Sequence, residues 1–158
     1  VPSAVLNAAG ITVREGSLAE AWALYKALPE FAGGLLEQNQ FEHRLSNSSA
    51  IILIAEKAGV ALGFKVGFDR YVDGSFYSWL GGVVQEARGS GVAQALLLEQ
   101  EQRVVAAGFD RIYVKTRNRF VDMLKLLLGN GYGIVGVTLA DDLPVADGRL
   151  TLLKILRG

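Results

Sequence analysis

The spacing of apolar residues changes its period several times along this chain. Seven stretches are rich in β-branched and aromatic residues and are separated by turn-forming sequences or by helical stretches, a pattern that is typical of β-strands. The predicted strands cover residues 11–14, 50–56, 60–68, 75–84, 111–116, 132–139 and 150–156. Short turns separate the second, third and fourth strands, which predicts an antiparallel meander.

Four other stretches repeat their apolar residues with a helical period. The predicted helices cover residues 18–28, 35–45, 92–107 and 120–128. Ser17 and Glu20 form a capping-box pattern before the first helix, and Pro29 ends it. Gln100 interrupts the apolar face of the third helix, which Gly108 ends. Because this helix joins the fourth and fifth strands, those strands are predicted to be parallel.

The amino-acid composition indicates the fold class and argues against several functions. The 158 residues are 51% hydrophobic and 20% charged, which predicts one mixed α/β domain spanning residues 1–158. The 16 basic and 16 acidic side chains balance, so no nucleic-acid partner is expected, and no apolar run is long enough for a membrane span. With no cysteine and one histidine, no metal site is expected. The lack of a signal-peptide pattern favours a cytoplasmic protein.

The turn between the fourth strand and the third helix carries the clearest chemical signal. Its sequence is Arg88-Gly89-Ser90-Gly91-Val92-Ala93. Glycines let a backbone turn tightly and approach a ligand, the first N–H groups of a helix are unpaired, and arginine adds a forked cation. These features favour a phosphate or pyrophosphate. A Walker loop would need a Gly-Lys-Ser/Thr triplet, and a dinucleotide fingerprint would need a small residue where Gln94 stands.

Arg88, Gly91 and Ala93 resemble the Arg/Gln-x-x-Gly-x-Gly/Ala signature of the GNAT superfamily of acetyl-CoA-dependent N-acetyltransferases. The resemblance covers residues 50–140: Leu80-Gly81-Gly82-Val83-Val84 looks like the family's fourth strand, Asn118 like its Asn marker, and Gly131-Tyr132 like its Gly-Phe marker. It implies a mixed, mostly antiparallel sheet of about seven strands, flanked by about four helices and splayed between the fourth and fifth strands.

The resemblance also implies a function and a site. The function is transfer of an acetyl group from acetyl-CoA to a primary amine of a small molecule, peptide or protein, by direct attack. The cofactor-binding residues that it implies are Gly81, Val83, Val84, Gln85, Arg88, Gly89, Ser90, Gly91, Val92, Ala93 and Asn118. Val83 and Asn118 are the predicted catalytic residues, since the N–H of Val83 is expected to stabilise the oxyanion. Asn118 is expected to hold the cofactor or the acceptor, or else to cap the next helix. Gly81-Gly82 is alternatively a bulge without function.

The general acid of the family is missing. Many GNAT enzymes carry a Tyr four residues before the Gly of Gly-Phe, and counting back from Gly131 gives Leu127, which has no proton to donate. Leu127 shares a predicted helix face with other apolar residues, so it is expected in the core. Either water, Tyr77 or Ser78 acts as the acid, or the reaction relies on the proximity of the reactants alone. This departure leaves a second possibility, a non-catalytic acyl-CoA-binding or regulatory module.

The general base and the acceptor are not indicated by any residue pattern. Glu37, Glu42 and Glu86 are candidate bases, although each is also an ordinary solvated charge. His43 is the only histidine, and a lone histidine on such a helix is usually a surface residue. The family adds the expectation of a possible homodimer.

Overall fold

The computed structural model describes residues 4–7, 9–34, 36–139, 141–142 and 144–156. Within these ranges the strands are Ala4–Leu6 (β1), Thr12–Glu15 (β2), Ile51–Lys57 (β3), Val60–Phe68 (β4), Ser75–Val83 (β5), Arg111–Arg117 (β6), Gly133–Thr138 (β7) and Arg149–Ile155 (β8). The α-helices are Leu18–Ala27 (α1), Gln38–Leu45 (α2), Val92–Ala106 (α3) and Val121–Gly129 (α4). The predicted mixed α/β class is confirmed.

A single sheet contains the eight strands in the order β1-β2-β3-β4-β5-β6-β8-β7. Strands β5 and β6 are parallel, and every other neighbouring pair is antiparallel. The seven predicted strands correspond to β2–β8, so the predicted fourth and fifth strands are β5 and β6. The additional strand β1 pairs with β2 at the sheet edge. Its three residues are too few to show a period in the sequence.

Local hydrogen bonds set the start of α1. The hydroxyl of Ser17 accepts from the N–H of Glu20, and the Glu20 carboxylate accepts from the N–H of Ser17, so the predicted capping box is confirmed. The helix ends at Ala27, and Pro29 then opens a single 3-10 turn, Pro29–Phe31. A proline has no N–H to continue the helix, which explains the stop.

The second helix starts later than the sequence predicted. Its first residue is Gln38, whereas the predicted start, Leu35, lies outside the described residues. Glu37 and Gln40 form a reciprocal cap in which each side chain accepts from the other residue's N–H. Two unpaired helix donors are satisfied there, so the helix begins after Glu37.

The helices pack on opposite faces of the sheet. On one face, α1 and α2 bury apolar side chains of β3 and β4, including Ile54, Phe64 and Val66. On the other, α3 packs over β3, β4 and β5, and the apolar side of α4 joins a cluster with Phe76 and Ile112. Both faces of the central strands are therefore buried against helices. Among the described residues, no helix is long and apolar enough to cross a bilayer.

Strands β5 and β6 separate along their length. They pair from Ser75 with Arg111 to Ser78 with Val114, and no pairing continues after Ser78. Both strands extend further, β5 to Val83 and β6 to Arg117. The predicted splay between these two strands is therefore confirmed, and it leaves an open gap between residues 79–83 of β5 and the C-terminal end of β6.

Candidate functional site

The β5 edge of the gap carries backbone groups that have no partner in β6. Val84 donates its N–H to the carbonyl of Leu62 at 2.8 Å, on the β4 side. Backbone groups alternate their direction along a strand, and β5 pairs regularly with β4 from Leu80 to Val83. The N–H and C=O groups of Gly81 and Val83 therefore point into the gap. This arrangement can hydrogen-bond an extended chain in the way that another strand would.

A bulge and two close contacts shape this edge. The pairing of β5 with β4 skips Trp79, so the bulge lies there and not at the two glycines. A Cβ on Gly82 would overlap Cδ1 of Leu28, and one on Gly81 would lie 3.2 Å from the carbonyl oxygen of Phe64. The sequence alternative of a bulge at Gly81-Gly82 is wrong. These positions are glycine because of close packing.

The glycine turn next to the gap is open to solvent. Gly89 and Gly91 have φ of 78° and 89°, in the left-handed region that favours glycine, and nothing lies within 4 Å of a Cβ built on either. Gly91 is the N-cap of α3 and has no side chain to cap the first N–H groups. The Ser90 hydroxyl donates to the carbonyl of Ala87 instead. The helix end is therefore able to receive an anion.

Arg88 lies at the start of this turn. Its Nε donates to the carbonyl of Val83 at 3.3 Å, and its Nη2 lies 2.8 Å from the carboxylate of Glu30. Glu30 belongs to the 3-10 turn between α1 and α2. The guanidinium is half exposed and borders both the open edge of β5 and the glycine turn.

Asn118 follows β6 at the far side of the gap. Its side-chain amide donates to the carbonyl of Val145 at 2.9 Å, and its own N–H donates to the carbonyl of Gly148. Helix α4 begins at Val121, its N-cap is Phe120, and no side chain caps it. The alternative that Asn118 caps α4 is wrong. It holds the β7–β8 connection against the end of β6.

The candidate acids and bases fall in different places. Leu127 is fully buried beside Phe76 and Leu152, so it is a core residue as expected. Tyr77 is almost buried, and burial raises its pKa, partly opposed by Arg70. Ser78 is also buried.

The remaining charged candidates lie on outer surfaces. His43 borders a depression of about 430 Å³ on the outer side of α2, together with Asn39, Gln40 and Arg44. Glu86 borders a cavity of about 260 Å³ next to the glycine turn. Glu42 accepts from Gln38 at the surface, and Glu37 is in the cap of α2. In the part of the chain that the structure describes, no group of three or more His, Asp or Glu side chains is placed to hold a metal.

Aromatic rings and cations lie together on the α1/α2 face near the gap. The Arg44 guanidinium lies 5.0 Å from the centre of the Trp79 ring, and that of Arg70 lies 4.9 Å from the Tyr77 ring. The Lys115 ammonium lies 6.0 Å from the same Tyr77 ring. Within the described ranges, none of these three cations forms an ion pair. This face is consequently electropositive.

Two buried polar side chains on the opposite face were not predicted as site residues. Lys65 of β4 is only 5% exposed, and burial lowers its pKa to about 8, although the nearby Glu101 opposes the shift. Gln100 of α3 is fully buried, and neither atom of its amide has a hydrogen-bond partner. Gln100 could have been identified from the sequence, because it interrupts the apolar face of α3. Lys65 could not, because a single lysine in a strand is usually exposed.

Comparison with known proteins identifies the fold. Neither a protein-family model nor a curated protein sequence matches the chain. Solved structures do match it. The ribosomal-protein-S18-alanine N-acetyltransferase from Escherichia coli superposes with a TM-score of 0.79 at 11% identity, covering 94% of this chain and 95% of the other. A GCN5-related N-acetyltransferase from Kribbella flavida has a TM-score of 0.76 at 18% identity, covering 92% of this chain and 98% of the other.

A third solved structure superposes over a similar share of the chain. Ard1 from Thermoplasma volcanium superposes with a TM-score of 0.76 at 17% identity, over 92% of this chain and 97% of that one. Many further acetyltransferase structures match, including a spermidine N-acetyltransferase chimera. The sequence identities are low, whereas the superposition extends over almost the whole chain. The chain therefore has the fold of the GNAT N-acetyltransferases.

Proposed function

We propose that this protein is an N-acetyltransferase that moves an acetyl group from acetyl-CoA to a primary amine. The observation that carries the proposal is the gap between β5 and β6, which opens directly beside the glycine turn at the start of α3. The gap offers strand-like hydrogen bonds to the pantetheine chain, and the turn offers uncapped N–H groups to the pyrophosphate.

The proposed cofactor contacts follow the backbone of this region. Gly81 and Val83 hydrogen-bond the pantetheine chain from the open edge of β5, and Val84 and Gln85 lead from it into the turn. The turn residues hold the pyrophosphate, and Arg88 neutralises part of its charge. The proposed contacts of the turn are Arg88, Gly89, Ser90, Gly91, Val92 and Ala93.

The proposed chemistry is direct transfer. The amine nitrogen forms a bond to the acetyl carbon, the C–S bond breaks, and the departing thiolate takes up a proton. The N–H of Val83 stabilises the negative charge that develops on the carbonyl oxygen. Asn118, at the end of β6, is proposed to position the acceptor with the part of its amide that Val145 does not engage.

We further propose that the acceptor amine also carries an anionic group, such as a carboxylate. The electropositive α1/α2 face supports this, because Arg44, Arg70 and Lys115 form no ion pair among the described residues and surround Tyr77 and Trp79. A carboxylate on the acceptor would pair with these cations, whereas a polycation would be repelled.

A CoA-release assay with matched pairs of amines tests both proposals. Each pair consists of an amino acid and the amide of the same amino acid. We expect release of CoA thiol, a preference for the carboxylate member of each pair, and loss of that preference in a Lys115→Gln variant. Binding of acetyl-CoA without release for any amine would favour the alternative, a non-catalytic acyl-CoA-binding module. Equal rates within every pair would contradict the anionic acceptor.

The edge strand β7 supports a proposed homodimer. Its apolar side chains Ile134, Val135 and Val137 are each about half exposed, and the strand pairs only with β8 among the described residues. An unpaired apolar edge is a natural site for a second copy. A dimer mass in light scattering that becomes a monomer mass in a Val135→Lys variant is the expected result, and a monomer mass for the unmodified chain would contradict it.

A further inference from the structure

Lys65 lies on the face of the sheet that α3 covers. A Cβ on Gly63 would lie 3.1 Å from Val92 and 3.2 Å from Leu96, both of α3. Residues two apart in a strand share a face, so Lys65 also faces α3. The apolar residues Leu53, Ala55, Val92 and Leu96 form a cluster on this face, and a lysine is rarely buried in such surroundings.

The lysine side chain extends towards the gap. Lys65 is paired with Gly81, and a Cβ on Gly81 would lie 3.4 Å from Cγ of Lys65, so the lysine stem crosses the position where β5 has no side chain. Glu101, whose charge acts on Lys65, receives hydrogen bonds from Tyr132 and Lys154 on the β7–β8 side of the sheet. The stem of Lys65 therefore lies beside the part of β5 that has separated from β6, and the carboxylate of Glu101 attracts its ammonium.

Gln100 is a second, independent observation at the same level. Because α3 connects the parallel strands β5 and β6, it runs antiparallel to β5 and therefore in the same direction as β4. One helical turn of α3 beyond Leu96 consequently lies over the strand position about two residues beyond Gly63. That step leads from Leu96 to Gln100 and from Gly63 to Lys65. An unsatisfied buried amide costs about 1–3 kcal/mol, so the chain keeps a second buried polar side chain at this level at the expense of stability.

We propose that Lys65 is the catalytic acid of the transfer, donating its proton from the α3 side of the gap to the sulfur of CoA. This inference rests on the proposed acetyltransferase function. As the C–S bond breaks, its electron pair stays on sulfur, and a proton passes from the Lys65 ammonium to that sulfur, giving CoA thiol and a neutral lysine. Solvent then returns a proton to Lys65, and the acceptor nitrogen releases one on forming the amide.

The charge environment suits this role. Burial disfavours the ammonium and lowers its pKa to about 8, close to the value of about 8.5 for an ordinary thiol. Glu101 opposes this shift, and Lys154 in turn pairs with Glu101 at 2.9 Å. The neighbouring strand positions on this face carry no ionisable group: these are Leu53 and Ala55 of β3, Gly81 and Val83 of β5, and Thr116 of β6. Helix α3 adds the buried ion pair of Glu99 and Arg103, at 2.9 Å, and the Tyr132 hydroxyl donates to Glu101. Leu127 of α4, the position of the usual acid, is apolar.

The first measurement needs only binding of CoA. The ultraviolet absorbance of the thiolate is followed against pH for CoA bound to the unmodified protein, to Lys65→Met and to Lys65→Arg. An opposite charge nearby lowers a pKa by about 1–3 units, so we expect the bound thiol to ionise at lower pH beside Lys65 or Arg than beside Met. Coincident titrations for all three proteins would overturn the inference.

The second measurement is the single-turnover rate against pH. We expect Lys65→Met to lose roughly 10²–10⁴-fold in rate with unchanged affinity for acetyl-CoA. The unmodified protein should lose rate as pH rises through about 8, because the acid is active only when protonated, and neither Lys65 variant should show that fall. Lys154→Met is the matched control, since it also removes a lysine beside Glu101 but lies in β8, and it should keep the alkaline fall.

The outcomes separate this inference from the proposed function. A full rate and an intact alkaline fall in Lys65→Met would overturn the role of Lys65 and leave the acetyltransferase function standing. A protein that transfers to no amine, but whose bound thiol still depends on Lys65, would overturn the proposed function and with it the role of Lys65 as an acid, while establishing its contact with sulfur. Folding of Lys65→Met is expected, because burial disfavours the ammonium, Met is unbranched and fills an apolar site of similar length, and Glu101 keeps its ion pair with Lys154.

Discussion

The guanidinium of Arg88 lies 2.8 Å from the carboxylate of Glu30, although the two residues are 58 positions apart in the chain. Glu30 stands in the connection between α1 and α2, and Arg88 opens the glycine turn. The pair therefore links the two sides of the proposed site. An incoming phosphate that binds Arg88 has to compete with Glu30 for the same guanidinium.

Replacing Glu30 should reveal this competition. We expect Glu30→Gln to tighten acetyl-CoA binding by up to about fivefold, because a partly exposed ion pair is worth up to about 1 kcal/mol. Arg88→Ala should weaken acetyl-CoA but leave a pantetheine fragment without phosphate unaffected. Isothermal titration calorimetry measures both. Weaker binding in Glu30→Gln, or equal losses for both ligands in Arg88→Ala, would show that this pair acts on the fold.

Gly91 and Gly108 form a matched pair for testing the turn. Both have positive φ, 89° and 101°, and nothing lies within 4 Å of a Cβ on either, one at the start of α3 and one just beyond its end. Alanine at each should cost about 1–2 kcal/mol of unfolding free energy, because the left-handed region disfavours a side chain. Only Gly91→Ala should weaken acetyl-CoA. Denaturant unfolding with calorimetry decides this, and equal weakening in Gly108→Ala would remove the turn from the site.

Leu127 is predicted to act through packing alone. It is fully buried between α4 and the sheet, so Leu127→Ala should lower the unfolding free energy by about 2–5 kcal/mol. Leu127→Tyr should cost about 1–3 kcal/mol by overpacking and should not raise turnover. Thermal unfolding and CoA release measure the two effects. A many-fold gain in turnover for the tyrosine variant with an intact fold would mean that this position faces the reacting sulfur.

Gln100 should affect stability and binding in opposite directions. Gln100→Leu removes an unpaired buried amide, so we expect the unfolding free energy to rise by about 1–3 kcal/mol. The same change is expected to weaken acetyl-CoA, because we propose that the buried amide, at the level of Lys65, finds its hydrogen-bond partner in the bound pantetheine chain. Leu97→Met, one turn earlier on the same helix, is the packing control and should leave binding unchanged. A stability that falls in Gln100→Leu would mean that the amide is satisfied within the protein.

Several local features follow from the sequence because they depend on neighbouring residues. The capping box at Ser17, the stop at Pro29 and the glycine at position 108 act within one helical turn, and all are found as predicted. The parallel pairing of β5 and β6 follows from the helix that joins them. The alternative of a bulge at Gly81-Gly82 could not be decided from the sequence, because glycine is typical both of a bulge and of a close approach, and only the strand register and the contact with Leu28 distinguish them.

The amino-acid sequence by itself determined the order of strands β2–β8 and of the four α-helices, the mixed α/β class and the glycine turn at the start of α3. Each of these features depends on the spacing of apolar residues or on a motif of a few neighbouring residues. Only the tertiary structure decided that Arg88 meets Glu30, that Asn118 holds the β7–β8 connection, and that Lys65 is buried under α3 beside the gap. These relationships join segments that are far apart in the chain, and burial of a charge depends on which helix covers the strand, which no local pattern records.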